Sequence, residues 1–181
     1  NQSVVSVERY ARPVQQLLGS SCWNSNKITF QREKLETEIR NQFPEVKAVS
    51  IDTFVFGKKP QVRLSIWELP LKLSSNGKDY LVTESGVIAG ITNEFSLAKN
   101  SLVLRDESGV SASVGERYLR QDDVAYLRTL RRITLEKGIA LEYVRIPAVQ
   151  REIYVKASGR GYEVRMYLED DVYAQVGSWL A

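Results

Sequence analysis

The sequence predicts an α+β protein in two parts. Three observations carry that prediction. The first 69 residues read strand, helix, helix, strand, strand; the remainder is mostly short alternating strands divided by turn residues; and the strongest helical stripe lies late, at 121–138. A small sheet with two helices on one face suits the first part, and a mainly antiparallel sheet carrying helices suits the second. The boundary is placed at Pro70, giving domains of residues 1–70 and 71–181.

In the first part, SVVSVERY (3–10) is rich in valine and reads as a strand. Pro13 opens a short helical turn closed by Gly19, since proline suits a helix start and glycine the position just past its end. SSCWNSN (20–26) reads as a polar loop. A second helix starts after Thr29 or Phe30, because Phe30, Leu35, Ile39 and Phe43 share one stripe with charges elsewhere. Pro44 cannot continue that helix and moves Phe43 out of the helical region. VKAVSIDTFVF (46–56) follows as a strand, with Val46 and Ala48 set against Ser50 and Asp52. GKKP (57–60) turns the chain. QVRLSIWEL (61–69) then alternates Val62, Leu64 and Ile66 against Gln61, Arg63 and Ser65, a half-buried strand forming a hairpin with the one before. In WELP, Trp67 reads as a packing residue and Pro70 as a strand stop at the domain junction.

In the second part, LKLS, DYLVTES and GVIAG read as short strands, with turns at SNGKD (75–79) and Ser85–Gly86. TNEFSLAKN is irregular, and SLVLRDE is a strand. QDDVAYLRTLRRITLEKG (121–138) is a helix: Asp122 or Asp123 caps it, Val124, Leu127, Leu130 and Ile133 form its stripe, and Lys137 and Gly138 end it. IALEYVRI (139–146), REIYVKA (151–157) and YEVRMYL (162–168) alternate as strands, with SGRG (158–161) as the hairpin turn between the last two. EDDVYAQVGSWLA closes with an acidic cap and an amphipathic helix.

Composition removes several function classes. With 181 residues, 43% of them hydrophobic, the chain can bury a core without covalent staples. A net charge of +3 is too mild for a nucleic-acid footprint, and the densest basic run, Arg128 to Arg132, reads as a solvated helix face. No apolar run approaches the ~18 residues that cross a bilayer. Because the first residue is Asn1, the sequence reads as an excised piece of a longer chain, and the lack of a signal or membrane anchor within it says little about location. Histidine is absent, which excludes histidine-based triads and most zinc sites. The single cysteine, Cys22, excludes an intrachain disulfide and reads as a small buried hydrophobe beside Trp23. The acidic pairs in QDD (121–123) and EDD (169–171) sit at helix starts, where carboxylates stabilise the helix dipole. No phosphate-loop pattern is present. The expectation is therefore no catalytic residue, no metal and no cofactor.

The succession from VVSVERY to IWELP, with its helix, FPEV step, strand, loop and strand, resembles the POTRA domain of the bacterial cell-division proteins FtsQ and DivIB. The departure is Glu68-Leu69-Pro70, one residue shorter than the family's usual Glu-x-x-Pro. YLVTESGVI (80–88) and REIYVKASGRGYEVRMYLEDDVYAQVGSWL resemble segments of the β-domain that follows the POTRA domain in that family. In the family a further strand follows the last helix and receives the partner; these residues end at Ala181, so that strand cannot be carried over.

The resemblance implies a non-enzymatic divisome scaffold outside the cytoplasm, tied to the cell membrane by a single span that is not among these residues. Its partners are then FtsB/FtsL-type (DivIC-like) division proteins, held by strand addition to a free sheet edge. YEVRMYL is expected to neighbour that edge, so Tyr162, Val164, Met166 and Tyr167 are the candidate partner-binding residues. Within it, Tyr162, Val164, Met166 and Leu168 share one face, and Glu163, Arg165 and Tyr167 the other. The alternative is a POTRA-containing outer-membrane assembly or secretion component that captures unfolded strands; against it, the POTRA-like pattern does not repeat.

Overall fold

The structure, a computed structural model, describes residues 8–22, 32–52, 61–66, 71–92 and 101–181. It is α+β: four helices, a two-stranded sheet and a mostly antiparallel seven-stranded sheet.

Helix α1 (Glu8–Cys22) and helix α2 (Arg32–Gln42) pack with the hairpin of β1 (Val46–Asp52) and β2 (Gln61–Ile66). Three expectations are corrected in α1. Residues 8–10 are helical, not extended, while the rest of the expected first strand lies outside the described residues. Pro13 sits inside the helix rather than at its start, and residues 20–22 continue the helix where a loop was expected. A proline in a helix interior costs about 3 kcal/mol. It is tolerated here because Tyr10 and Val14, four residues apart on one face, are buried against α2 and β1, with Leu17 and Leu18 continuing the stripe. The second helix follows its sequence pattern: Leu35, Ile39 and Phe43 are buried, and the chain turns at Pro44 into β1.

The pairing of β1 differs from the alternation expected of it. A bulge between Val46 and Ala48 shifts the register, so Val46, Val49 and Ile51 face the core and Ala48 faces solvent. One extra residue exchanges the two faces of everything beyond it. In β2, Val62, Leu64 and Ile66 pack on that core as expected. The 57–60 turn, the WELP junction and most of TNEFSLAKN lie outside the described residues.

The large sheet contains β3 (Leu71–Ser75), β4 (Lys78–Val82), β5 (Ile88–Ile91), β6 (Leu102–Asp106), β7 (Leu141–Ile146), β8 (Glu152–Ala157) and β9 (Glu163–Tyr167). Their spatial order is β5-β4-β3-β6-β7-β8-β9. Asn76 and Gly77 join β3 to β4 with φ of 50° and 73°, the two left-handed residues that a tight hairpin requires. β6 is parallel to both β3 and β7; the other four pairings are antiparallel.

One face of this sheet buries Leu73, Leu104, Val144, Val155 and Met166 beneath helix α3 (Gln121–Glu136) and helix α4 (Val172–Leu180). The opposite face is covered at the β4–β5 end, where Leu81 and Ala89 join the core of the N-terminal unit. Both faces of these strands are buried, which explains their nearly continuous apolar sequence.

In α3, Val124, Leu127, Leu130 and Ile133 are buried, and Lys137 and Gly138 end the helix as expected. The expected acidic cap is corrected. Arg120 occupies the cap position without a side-chain bond, Asp122 lies near Arg120, and Asp123 is buried against Arg151, with 2.7 Å between Oδ1 and Nη1. As the third helical residue, Asp123 finds a guanidinium at the start of β8 in place of its own helix amides. At α4 the cap is as expected: the Ala174 amide donates to Asp171 Oδ1 at 2.8 Å.

Candidate functional site

A sheet exposes main-chain donors and acceptors only along its outermost strands. At the β5 end, residues 113–119 cover the edge: the Ile88 amide donates to the Glu116 carbonyl at 2.9 Å, and the Gly115 amide to that of Ile88 at 2.8 Å. At the other end, β9 pairs with β8 and with no further strand among the described residues. The hairpin sets the register of β9, placing Val164 opposite Val155 and Met166 opposite Ile153.

Gln175 of α4 lies along this edge. Its Oε1 accepts from the Tyr167 amide and its Nε2 donates to the Tyr167 carbonyl, both at 2.8 Å. One side-chain amide thereby makes the two bonds that a neighbouring strand would make. Its second Nε2 proton goes to the Tyr126 hydroxyl at 2.9 Å. Burial, with Asp170 and Asp171 nearby, pushes the Tyr126 hydroxyl up to about 12, so it stays protonated at neutral pH. Since N–H and C=O directions alternate along a strand, Glu163 and Arg165 point their main-chain groups outward as Tyr167 does. Neither pair has a partner among the described residues.

Beside this edge runs a groove of about 580 Å³ between β9 and α4. Val164, Arg165 and Met166 line it from the strand, Ala174, Gln175, Ser178 and Trp179 from the helix, and Asp170 and Asp171 from the turn between them. The flanking arginines lie on aromatic rings: Arg165 is 5.5 Å from the Tyr167 ring, and Arg160 lies 5.6 Å from Trp179 and 5.9 Å from Tyr162. Arg160 also donates to the Tyr162 hydroxyl, holding its pKa below the ordinary value. Glu163 is held by Arg145 and by the Tyr143 hydroxyl, which keep its carboxyl below the usual glutamate range.

The four sequence-derived candidates separate here. Tyr162 and Tyr167 are exposed, and Val164 is half-buried in the groove. Met166 is 1% exposed and belongs to the core, with its sulfur 3.9 Å from the Tyr126 hydroxyl. Alternation put Met166 beside Val164 correctly, but it could not show that α3 and α4 close over one and leave the other at the rim. Arg165, Gln175 and Trp179 were not singled out. The available signal was Gln175, the one side-chain amide in the mostly apolar helix VYAQVGSWL.

The acidic clusters serve structure, Asp123 in its ion pair and Asp171 in its cap. Among the described residues no helix is long and apolar enough to cross a membrane. No protein-family model and no curated protein matches the chain.

Proposed function

We infer that this chain is a non-enzymatic scaffold that holds an extended segment of a partner protein by strand addition at the β9 end of its large sheet. The observation that carries this reading is the strand's one-sided pairing, with the outward main-chain groups of Glu163 and Arg165 unpartnered among the described residues beside a groove. Main-chain bonds to such an edge supply affinity and are indifferent to partner sequence; side chains alternating into the groove supply selectivity. The resemblance to FtsQ and DivIB makes the partner an FtsB/FtsL-type or DivIC-like protein, met on the extracytoplasmic side of the cell membrane during septation.

The test uses titration calorimetry with the extracytoplasmic segment of an FtsB-like protein. The 181-residue chain is expected to bind it, and Arg165→Pro to abolish binding. That proline removes an outward amide and leaves the β8–β9 bonds in place, since proline is tolerated on a sheet edge. Circular dichroism checks that the variant is folded. Equal binding by the folded variant sinks strand addition at β9, and no binding by a version that also carries the residues after Ala181 sinks the partner assignment.

A further inference from the structure

A sheet face is normally closed by a second layer, and among the described residues one part of the large sheet has none. Helices α3 and α4 cover Leu104, Val144 and Val155 on one face, and the N-terminal unit covers Leu81 and Ala89 on the other. Beyond that cover lie Val103, Tyr143 and Tyr154 of β6, β7 and β8, half-buried and part of neither core. We propose that this open face is a docking surface for an acidic polypeptide segment of a partner, laid flat across the strands with carboxylates at Arg105 and Lys156. It is separate from strand addition at the β9 end and does not rest on that reading.

Register gathers the charged residues on this face. Arg105 lies opposite Arg145, Arg145 opposite Tyr154, and Tyr143 opposite Lys156. Opposite residues of neighbouring strands share a face. The Arg105 guanidinium is 3.6 Å from the centre of the Tyr143 ring, and that of Arg145 is 4.2 Å from the centre of the Tyr154 ring. Each ring is thereby covered by a cation, and each cation is held in place by its ring.

The occupant follows from which charges are already matched. Arg145 is bound by Glu163 and Glu107, and Lys72 of β3 by Asp79. Glu163 also accepts from the Tyr143 hydroxyl, and Glu152 from that of Tyr154. Arg105 and Lys156 stand on either side of β7, and neither forms an ion pair among the described residues. Two strand spacings separate them, about 10 Å, with the tyrosines between. A segment with carboxylates at that separation and an apolar side chain between them matches both the charges and the apolar base. Single-stranded nucleic acid fits less well, because its bases stack on open aromatic faces and the arginines cover these.

The probes are two unlabelled synthetic peptides, Gly-Glu-Leu-Ser-Glu-Leu-Ser-Glu-Gly and the same sequence with glutamine for every glutamate. In an extended chain those glutamates recur about every 10 Å. Binding to the 181-residue chain is followed through its backbone amide NMR signals at low salt. The glutamate peptide is expected to shift amides of β6, β7 and β8. It should bind about tenfold more tightly than the glutamine peptide, a few-fold for each of two exposed ion pairs. High salt should narrow that gap. Arg105→Gln and Lys156→Gln, on separate strands and each checked for folding by circular dichroism, should each weaken the glutamate peptide about threefold. Equal affinity for the two peptides, no shifted amides, or shifts confined to β9 would each overturn the proposal. An oligothymidylate that shifts the same amides at lower concentration overturns it in favour of nucleic acid. None of these results bears on strand addition at β9, which the FtsB-like segment and Arg165→Pro test separately.

Discussion

Replacing Arg151 should destabilise the fold by an amount that separates electrostatics from backbone strain. Arg151 is held at φ 68°, in the left-handed region, and its guanidinium joins Asp123 at 2.7 Å and Glu169 at 3.0 Å. Asp123 is 7% exposed and Glu169 is 66% exposed, so the two bonds have very different worth. Removing one partner of a buried pair costs about 3–5 kcal/mol, because the other charge remains desolvated. The exposed bond adds at most about 0.5 kcal/mol. Arg151 itself keeps a quarter of its side chain in water, which puts Arg151→Ala near the lower limit, about 3 kcal/mol. Glycine loses the same ion pairs but occupies positive φ freely, so Arg151→Gly should be the more stable of the two by about 1 kcal/mol. Adding Asp123→Asn to Arg151→Ala removes the orphaned charge and should restore about 1–2 kcal/mol. Urea unfolding at neutral pH, followed by far-ultraviolet circular dichroism, gives the three differences. A loss below about 1 kcal/mol for Arg151→Ala, or a glycine variant less stable than the alanine one, would refute the reasoning.

Gln175→Ala should leave the fold intact with a loss of about 1 kcal/mol, and should speed hydrogen exchange at the Tyr167 amide. An unchanged exchange rate there would remove Gln175 as the edge clasp. Glu163 has its folded pKa lowered by the Arg145 guanidinium and the Tyr143 hydroxyl from an ordinary value of 4.5. Its contribution is therefore full above the unfolded pKa and is lost as pH falls through the folded one. Urea midpoints should show Glu163→Gln weaker than the parent chain at neutral pH, with the difference shrinking as pH falls below the ordinary glutamate range; a constant difference would exclude the linkage. Gly86 has φ 82°, and a Cβ there would run into the Leu119 carbonyl. Gly86→Ala should therefore cost more than about 2 kcal/mol, seen as a lowered Tm; a melting point within a degree or two of the parent's would contradict that contact.

What the sequence determined by itself is what neighbours along the chain decide. The Leu35, Ile39 and Phe43 stripe, the stop at Pro44, the Asn76–Gly77 turn and the α3 stripe from Val124 to Ile133 all rest on backbone sterics and short-range periodicity. The α+β class follows from their sum. Tertiary structure decided the rest. Nothing local to Val46 and Ala48 announces a bulge, because register is a property of two strands. Pro13 reads as a helix start until packing of the Tyr10 and Val14 face outweighs its cost. Asp123 reads as a cap until the fold brings Arg151 from 28 residues away. For the candidate site, alternation separated the two faces of β9, and the hairpin turn placed β9 beside β8. That no further strand pairs with β9 among the described residues, that Met166 is closed over, and that Gln175 bonds Tyr167 could be read only from the assembled sheet and from where α3 and α4 come to rest. Periodicity assigns a residue to a face, but a free edge exists only in relation to everything else packed around the strand.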